Sequence, residues 1–266
     1  MTAEVVFDGE RLRAVLWRGR SDRLVVTFDY RMDGREGFSA DNHSTGFARQ
    51  GFSQLSIKTR ANDWFVNAET PALEEALGRV RAEHRRVQAL GFSMGGYGAL
   101  RFARALGAAQ VVVVSPQVSP EAEWDVRYRG ETPGWDEGLG DLRPRAMPTL
   151  GGLLVFDPFV AEDLTHARAI LRLFPGLRPI RLGFGGHPAI RTLRGAGKMW
   201  VVQQEAGARR ASGEAIRAAH RGARAESKGW WTRLAGRAGA GHRALASRAR
   251  DVAARLPERA GDLDGP

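Results

Sequence analysis

The feature of this sequence that most constrains its fold is an alternation of short apolar runs and amphipathic stretches over the first two hundred residues. The apolar runs are four or five residues long and rich in Val, Leu and Ile, which is typical of buried parallel strands. They cover residues 24–28, 54–57, 87–90, 111–114, 153–156 and 180–184.

Helical patterns lie between these runs. Residues 70–84 open with Thr-Pro and place apolar side chains at intervals of three and four from Leu73 to Val80, which predicts a one-sided helix. Residues 95–106 and 164–173 follow the same pattern. Strands that alternate with helices predict an α/β fold with a doubly wound, mostly parallel sheet and helices on both faces.

One pentapeptide carries the strongest chemical signal. Gly91-Phe92-Ser93-Met94-Gly95 matches G-x-S-x-G, directly after a predicted strand and at the start of a predicted helix. This context is typical of a nucleophile elbow, in which a sharp turn lifts the serine hydroxyl out of the sheet. The turn requires small residues two positions before and after the serine, and both are glycine. We therefore predict Ser93 as a nucleophile.

A serine hydroxyl needs a base to take its proton, and the base needs an acid to orient it. With a nucleophile elbow of this kind, the acid and then the histidine follow the serine along the chain. Asp157 comes directly after the run 153–156, and His187 ends a Gly-Gly-His sequence after the run 180–184. Asp163 is the alternative acid, but an N-cap role near a helix start would explain it. We therefore predict Asp157 as the acid.

His187 is the predicted base because no other histidine follows both the serine and a strand. Two of the remaining histidines precede the serine, one lies inside a predicted helix and two lie in the C-terminal region: His43, His84, His166, His220 and His242.

On these residues the stretch 24–193 resembles the α/β-hydrolase superfamily, in particular serine esterases and thioesterases. The resemblance implies a backbone oxyanion hole made by the N–H groups of Met94 and of a residue in the loop after the first run, which we assign to Tyr30. This loop has Phe28-Asp29 where many members have His-Gly. Trp64 follows the run 54–57 and is a candidate for the substrate pocket, or alternatively a packing residue.

Two segments depart from the alternation. Residues 120–148 are polar, contain four prolines and two tryptophans, and predict a small lid between two strands. Arg127 and Arg129 within it are candidates to bind an anionic substrate, or alternatively solvated partners of nearby acidic residues.

We expect an α/β-hydrolase domain over residues 1–204 and a basic, Ala- and Arg-rich helical extension over 205–266. Within the extension, residues 230–257 resemble a degenerate tetratricopeptide-like hairpin, with an ordinary helix pair as the alternative.

Composition narrows the function classes further. The chain has no cysteine, which excludes disulfides, a thiol nucleophile and thiolate metal sites. Its net charge is +10, and residues 205–266 hold 12 arginines and one lysine against seven acidic residues. The arginines are dispersed and accompany no nucleic-acid-binding motif, so we favour compositional bias over a nucleic-acid partner. No metal or nucleotide-cofactor motif is present, and we expect no cofactor.

These patterns predict a cytoplasmic serine hydrolase without a transmembrane segment. It would cleave a small-molecule or polymer-linked acyl ester or thioester through an acyl-enzyme on Ser93. A thioesterase or an acyltransferase would use the same residues. The alternative is a hydrolase-like binding or scaffold protein whose C-terminal helices engage a protein partner.

Overall fold

The structure is a computed structural model that describes residues 2–132, 134–239 and 241–259. Its eight strands are β1 (Ala3–Asp8), β2 (Leu12–Trp17), β3 (Arg23–Phe28), β4 (Ser53–Thr59), β5 (Arg86–Phe92), β6 (Gln110–Val114), β7 (Gly151–Phe156) and β8 (Leu177–Arg181). They form one sheet in the order β1-β2-β4-β3-β5-β6-β7-β8. Strand β2 pairs antiparallel with both neighbours, and β3 to β8 are parallel. The predicted α/β class with a mostly parallel sheet is confirmed.

The helices are α1 (Thr45–Arg49), α2 (Thr70–Ala82), α3 (Met94–Arg101), α4 (Glu137–Gly140), α5 (Ala161–Leu173), α6 (Arg191–Gly195), α7 (Trp200–Gly207), α8 (Glu214–Arg224), α9 (Lys228–Ala238) and α10 (Arg243–Arg255). Short 3-10 helices cover Val126–Tyr128 and Arg143–Arg145. No helix in the described ranges is both long and apolar enough to cross a bilayer.

Each face of the sheet has its own core, because neighbouring strand residues point to opposite sides. On one face Val111 and Val113 pack with helices α2, α3 and α5, and on the other Val112 and Val114 pack with α1, α6, α7 and α8. Strands buried on both faces explain why they appear in the sequence as uninterrupted apolar runs.

The two segments that depart from the alternation both pack against this sheet. In the predicted lid, the Gly140 carbonyl accepts a hydrogen bond from the Tyr97 hydroxyl at 2.5 Å. Arg31 makes a bidentate ion pair with Glu131 of the lid, at 2.6 and 2.7 Å. The lid is therefore attached to α3 and to the loop after β3.

The C-terminal helices begin inside the sheet core rather than beyond it. Helix α7 spans the expected boundary at residues 204 and 205, and Ala206, Ala211 and Ile216 share the core cluster of Val112. Helices α9 and α10 form a hairpin with buried alanines between them: Ala235, Ala238, Ala246, Ala249 and Ala253. The division into residues 1–204 and 205–266 and the tetratricopeptide-like character of the hairpin stay predictions.

The packing of Ile216 gives a test of this boundary. Because Ile216 is fully buried, Ile216→Ala is expected to lower the free energy of unfolding by about 2–5 kcal/mol. Leu245 on α10 is 43% exposed, so Leu245→Ala is expected to change it by no more than about 0.5 kcal/mol. Urea denaturation followed by circular dichroism measures both. Equal, small effects would mean that α8 does not belong to the core of the sheet.

Candidate active site

Ser93 occupies the sharp turn between β5 and α3. Its backbone has φ 49° and ψ −120°, a conformation that a residue with a side chain rarely adopts. The turn is tight enough that a Cβ on Gly91 would lie 2.0 Å from the Gly95 carbonyl oxygen. A Cβ on Gly95 would lie 2.6 Å from the carbonyl oxygen of Asp29. The flanking glycines are therefore required by sterics, as the pentapeptide predicts.

The structure brings Ser93 and His187 together. The Ser93 Oγ lies 2.9 Å from the His187 Nε2, so the hydroxyl can donate a hydrogen bond to the imidazole. His187 lies in the loop after β8, at the same edge of the sheet as the serine. Ser93 is buried, whereas the His187 side chain keeps 17% of its surface exposed.

The acid beside His187 is Asp163, and the prediction of Asp157 for this position is wrong. The His187 Nδ1 lies 2.8 Å from the Asp163 Oδ1. Helix α5 begins at Ala161, three residues earlier than its apolar pattern indicates, so Asp163 lies in the first turn rather than at the cap. No side chain caps this helix, and the carboxylate of Asp163 faces the imidazole instead.

Asp157 has a different part in the same region. Its carboxylate accepts hydrogen bonds from the backbone N–H groups of Phe159 and Gly186, both at 2.9 Å. It thereby ties the loop after β7 to the loop that carries His187. Because both carboxylate oxygens are engaged by backbone groups, Asp157 supports the position of His187 without contacting its ring.

The two aspartates also differ in protonation. Burial raises the pKa of Asp157 and outweighs the lowering by the backbone N–H groups of Phe159 and Gly186. Burial also acts to raise the pKa of Asp163, but the charge and hydrogen bond of His187 and the charge of Arg127 outweigh it, so that this pKa is lowered. Asp163 is therefore held as the anion that an imidazolium requires.

Arg127 of the lid joins Asp163 to a second carboxylate. Its guanidinium lies 2.6 Å from Asp125 and 3.1 Å from the Asp163 Oδ1. Asp125 also faces the Nε2 of His166 at 3.1 Å, while the His166 Nδ1 accepts the N–H of Val118. Arg127 therefore pairs with acidic residues, which was the alternative to binding an anionic substrate. Its side chain is partly buried rather than fully solvated.

Tyr128 and Gln117 are site residues that the sequence did not reveal. The Tyr128 hydroxyl lies 3.4 Å from the Ser93 Oγ and 3.2 Å from the His187 Nε2. The Gln117 Nε2 lies 3.2 Å from both the Ser93 Oγ and the Tyr128 hydroxyl. Gln117 comes soon after β6, as Asp157 comes after β7. This position at the carboxyl end of a strand is the one signal in the sequence that could have identified Gln117. Tyr128 lies in an aperiodic segment and had no such signal.

Trp64 lies behind these two side chains. Its indole Nε1 donates to the Gln117 Oε1 at 3.2 Å, and its ring contacts the Tyr128 ring with centroids 4.8 Å apart. Trp64 is fully buried. It therefore fixes Gln117 and Tyr128 next to Ser93, while its predicted place in a substrate pocket stays a prediction.

The two predicted oxyanion donors lie close to the elbow. Met94 is the first residue of α3, so its N–H has no acceptor within the helix. Tyr30 lies in the loop after β3, which approaches α3 so closely that a Cβ on Gly95 would lie 2.6 Å from the Asp29 carbonyl oxygen. Arg35 braces this loop by donating to the Tyr30 carbonyl oxygen at 2.6 Å and to Asp29 at 2.9 Å. The donor roles of both N–H groups stay predictions.

Within the part of the chain that the structure describes, no three histidine or carboxylate side chains are grouped so that they could hold a metal ion.

Comparison with solved structures agrees with this architecture. A variant of the capsule O-acetyltransferase of Neisseria meningitidis serogroup A in complex with CoA is similar over 76% of this chain and 95% of its own, with 14% identity and a TM-score of 0.56. The same acetyltransferase in another structure is similar over 74% and 93%, with 14% identity and a TM-score of 0.51. This chain has the α/β-hydrolase fold. No protein-family model and no curated protein sequence matches it.

The two aspartates give a direct test of the site. Asp163→Asn is expected to lower kcat by about 10³- to 10⁴-fold, because an amide does not hold the imidazole tautomer or stabilise the imidazolium. Asp157→Asn is expected to lower kcat by less than about 10-fold and to cost about 1–3 kcal/mol of stability through one lost backbone hydrogen bond. Steady-state kinetics and urea denaturation measure the two effects. A larger loss of kcat in the Asp157 variant would reverse the assignment.

Proposed function

We propose that the protein is a serine hydrolase that cleaves an ester or thioester through an acyl-enzyme on Ser93. The observation that carries this proposal is the continuous hydrogen-bonded series from Ser93 through His187 to Asp163, at 2.9 and 2.8 Å. The strained conformation of Ser93 supports it independently, since such strain is concentrated at functional sites.

In the first half-reaction the Ser93 Oγ attacks the carbonyl carbon while its proton passes to the His187 Nε2. Asp163 accepts the Nδ1–H of the ring, which leaves Nε2 free to take the proton and stabilises the imidazolium. The tetrahedral intermediate collapses when the carbon–oxygen or carbon–sulfur bond breaks. The leaving alcohol or thiol receives the proton from Nε2.

In the second half-reaction the His187 Nε2 takes a proton from water, and the hydroxide oxygen attacks the acyl carbonyl. Collapse of this intermediate returns the proton to the Ser93 Oγ and releases the carboxylic acid. A hydroxyl group of a second substrate in place of water would give acyl transfer from the same intermediate.

Charge develops on the carbonyl oxygen in both steps, and donors aimed at it lower the barrier. The N–H groups of Met94 and Tyr30 are the proposed backbone donors. The Tyr128 hydroxyl is an additional donor, since it lies within 3.4 Å of the Ser93 Oγ. Burial raises the pKa of Tyr128 to about 12, so its hydroxyl keeps its proton at neutral pH.

Ser93→Ala tests the nucleophile. Labelling by a fluorophosphonate probe is expected in the wild type and absent in Ser93→Ala, and hydrolysis of 4-nitrophenyl acetate is expected to fall at least about 10³-fold. His187→Ala is expected to lose labelling as well. Circular dichroism checks that each variant is folded. Labelling of folded Ser93→Ala would contradict the assignment, and a folded wild type that neither labels nor hydrolyses esters would favour the non-catalytic binding or scaffold protein.

Tyr128→Phe tests the lid hydroxyl. Removal of one donor beside the reacting atoms is expected to lower kcat by about 10- to 10²-fold with little change in stability. Tyr30→Phe is the matched control, because Tyr30 is proposed to act through its backbone and its side chain is half-exposed. Its kcat is expected to stay within about twofold of the wild type. Equal kcat values for the two variants would remove Tyr128 from the mechanism.

A further inference from the structure

A cavity of about 230 Å³ opens between the loop that carries His187 and the helices α8 and α9. Of the described residues that line it, none is acidic and four are arginines: Arg181, Arg217, Arg221 and Arg224. Among the described residues, no carboxylate lies within ion-pair distance of any of these four guanidinium groups. Within the described ranges, the positive charge at this cavity therefore has no carboxylate paired with it.

The arrangement of three of these arginines is unfavourable without an anion. Arg217, Arg221 and Arg224 stand at positions i, i+4 and i+7 of α8, so they share one face of the helix. Like charges at this spacing destabilise a helix. The planar guanidinium fork binds phosphate oxygens in pairs, and such a ligand would relieve the repulsion.

A buried histidine gives a second, independent sign of a missing partner. His220 lines the same cavity and is 4% exposed, and its Nε2 has no hydrogen-bond partner in the described structure. Burial, together with the charges of Arg224 and Arg233, lowers its pKa to about 4, so the ring is neutral at pH 7. A neutral imidazole can still donate one N–H to an anionic oxygen. A buried polar atom without a partner is unfavourable, and a ligand oxygen that reached it would satisfy it.

Aromatic side chains form the other wall of the cavity. Phe159 stacks on Phe184 with centroids 4.3 Å apart, and Trp230 stands perpendicular to Phe184 at 5.6 Å. The Arg224 guanidinium lies 5.4 Å from the Trp230 ring centre. Phe159 is 48% exposed, which leaves an apolar surface next to the arginines. Such a wall suits the organic part of a phosphorylated molecule.

The cavity is joined to the proposed active site through one loop. The Trp230 Nε1 donates to the Gly183 carbonyl oxygen at 2.9 Å, and Phe184 precedes His187 by three residues. A ligand in the cavity therefore contacts the loop that carries the proposed base, at the same edge of the sheet as Ser93.

We propose that this cavity binds a phosphate group on the alcohol or thiol part of the acyl substrate. The inference rests on the proposed function, which it deepens by naming a phosphorylated ester or thioester as the substrate class. The four arginines and His220 hold the phosphate oxygens, and the aromatic wall contacts the adjoining organic group.

A binding experiment tests the cavity without requiring turnover. Coenzyme A and inorganic phosphate are titrated by calorimetry into the full chain with Ser93→Ala. Adding Arg217→Gln and Arg221→Gln is expected to weaken coenzyme A binding at least about 10-fold, because two charge-assisted hydrogen bonds are lost.

The matched control is Ser93→Ala with Arg79→Gln and Arg250→Gln, which removes the same charge from exposed positions on α2 and α10. Its affinity for coenzyme A is expected to stay within about twofold. Absence of coenzyme A binding, or equal weakening in both variants, would overturn the proposal. Binding of inorganic phosphate but not of coenzyme A would also overturn it, because the site would then accept a free anion only.

A kinetic experiment distinguishes failure of this inference from failure of the proposed function. With Ser93 intact, Arg217→Gln/Arg221→Gln is expected to raise KM for acetyl-CoA about 10-fold at unchanged kcat. Hydrolysis of 4-nitrophenyl acetate, which carries no phosphate, is expected to be unaffected. Loss of 4-nitrophenyl acetate hydrolysis in this variant would indicate a structural effect on the His187 loop and overturn the inference. Wild-type hydrolysis of 4-nitrophenyl acetate with no preference for acetyl-CoA would overturn the inference while leaving the proposed function in place.

Discussion

The reversal of the chain between β5 and α3 is the constraint on which the rest of the site depends. Ser93 adopts a left-handed φ there, which costs about 1–3 kcal/mol in a residue other than glycine. The surrounding core offsets this cost, because Met94, Tyr97 and Leu100 of the same helix are fully buried against the sheet. The helix cannot shift to relieve the turn without exposing these side chains. Rigid packing therefore holds the serine hydroxyl beside the loop of His187.

Local environment assigns different parts to two aspartates that are only six residues apart. Asp157 sits at the end of β7, where backbone N–H groups of two loops occupy its oxygens. Asp163 sits one turn into α5, where His187 and Arg127 face it. The first aspartate fixes the position of the histidine loop, and the second fixes the orientation of the ring. Both act on one imidazole, since the proposed base must be held in position and in the correct tautomer.

The lid is part of the site rather than a cover over it. Two successive lid residues, Arg127 and Tyr128, contact the acid and the serine–histidine pair. Asp125, His166 and the bidentate Arg31–Glu131 pair hold this segment against the sheet. The electrostatics around Ser93 therefore depend on the packing of a polar segment whose sequence has no period. The loop of His187 depends in the same way on the C-terminal helices, through Trp230.

The sequence by itself determined the α/β architecture and singled out a serine and a histidine that the structure brings together. Strands buried on both faces must be apolar throughout, and the elbow requires glycine at fixed positions. Both features can therefore be recognised in a short stretch of sequence. Only the tertiary structure decided that Asp163 rather than Asp157 faces His187, because the exact start of α5 fixes the direction of that side chain. It also brought Tyr128 and Gln117 to Ser93, and Arg181 to the arginines of α8. These contacts join residues far apart in the chain, and nothing in the local pattern specifies the long-range packing that creates them.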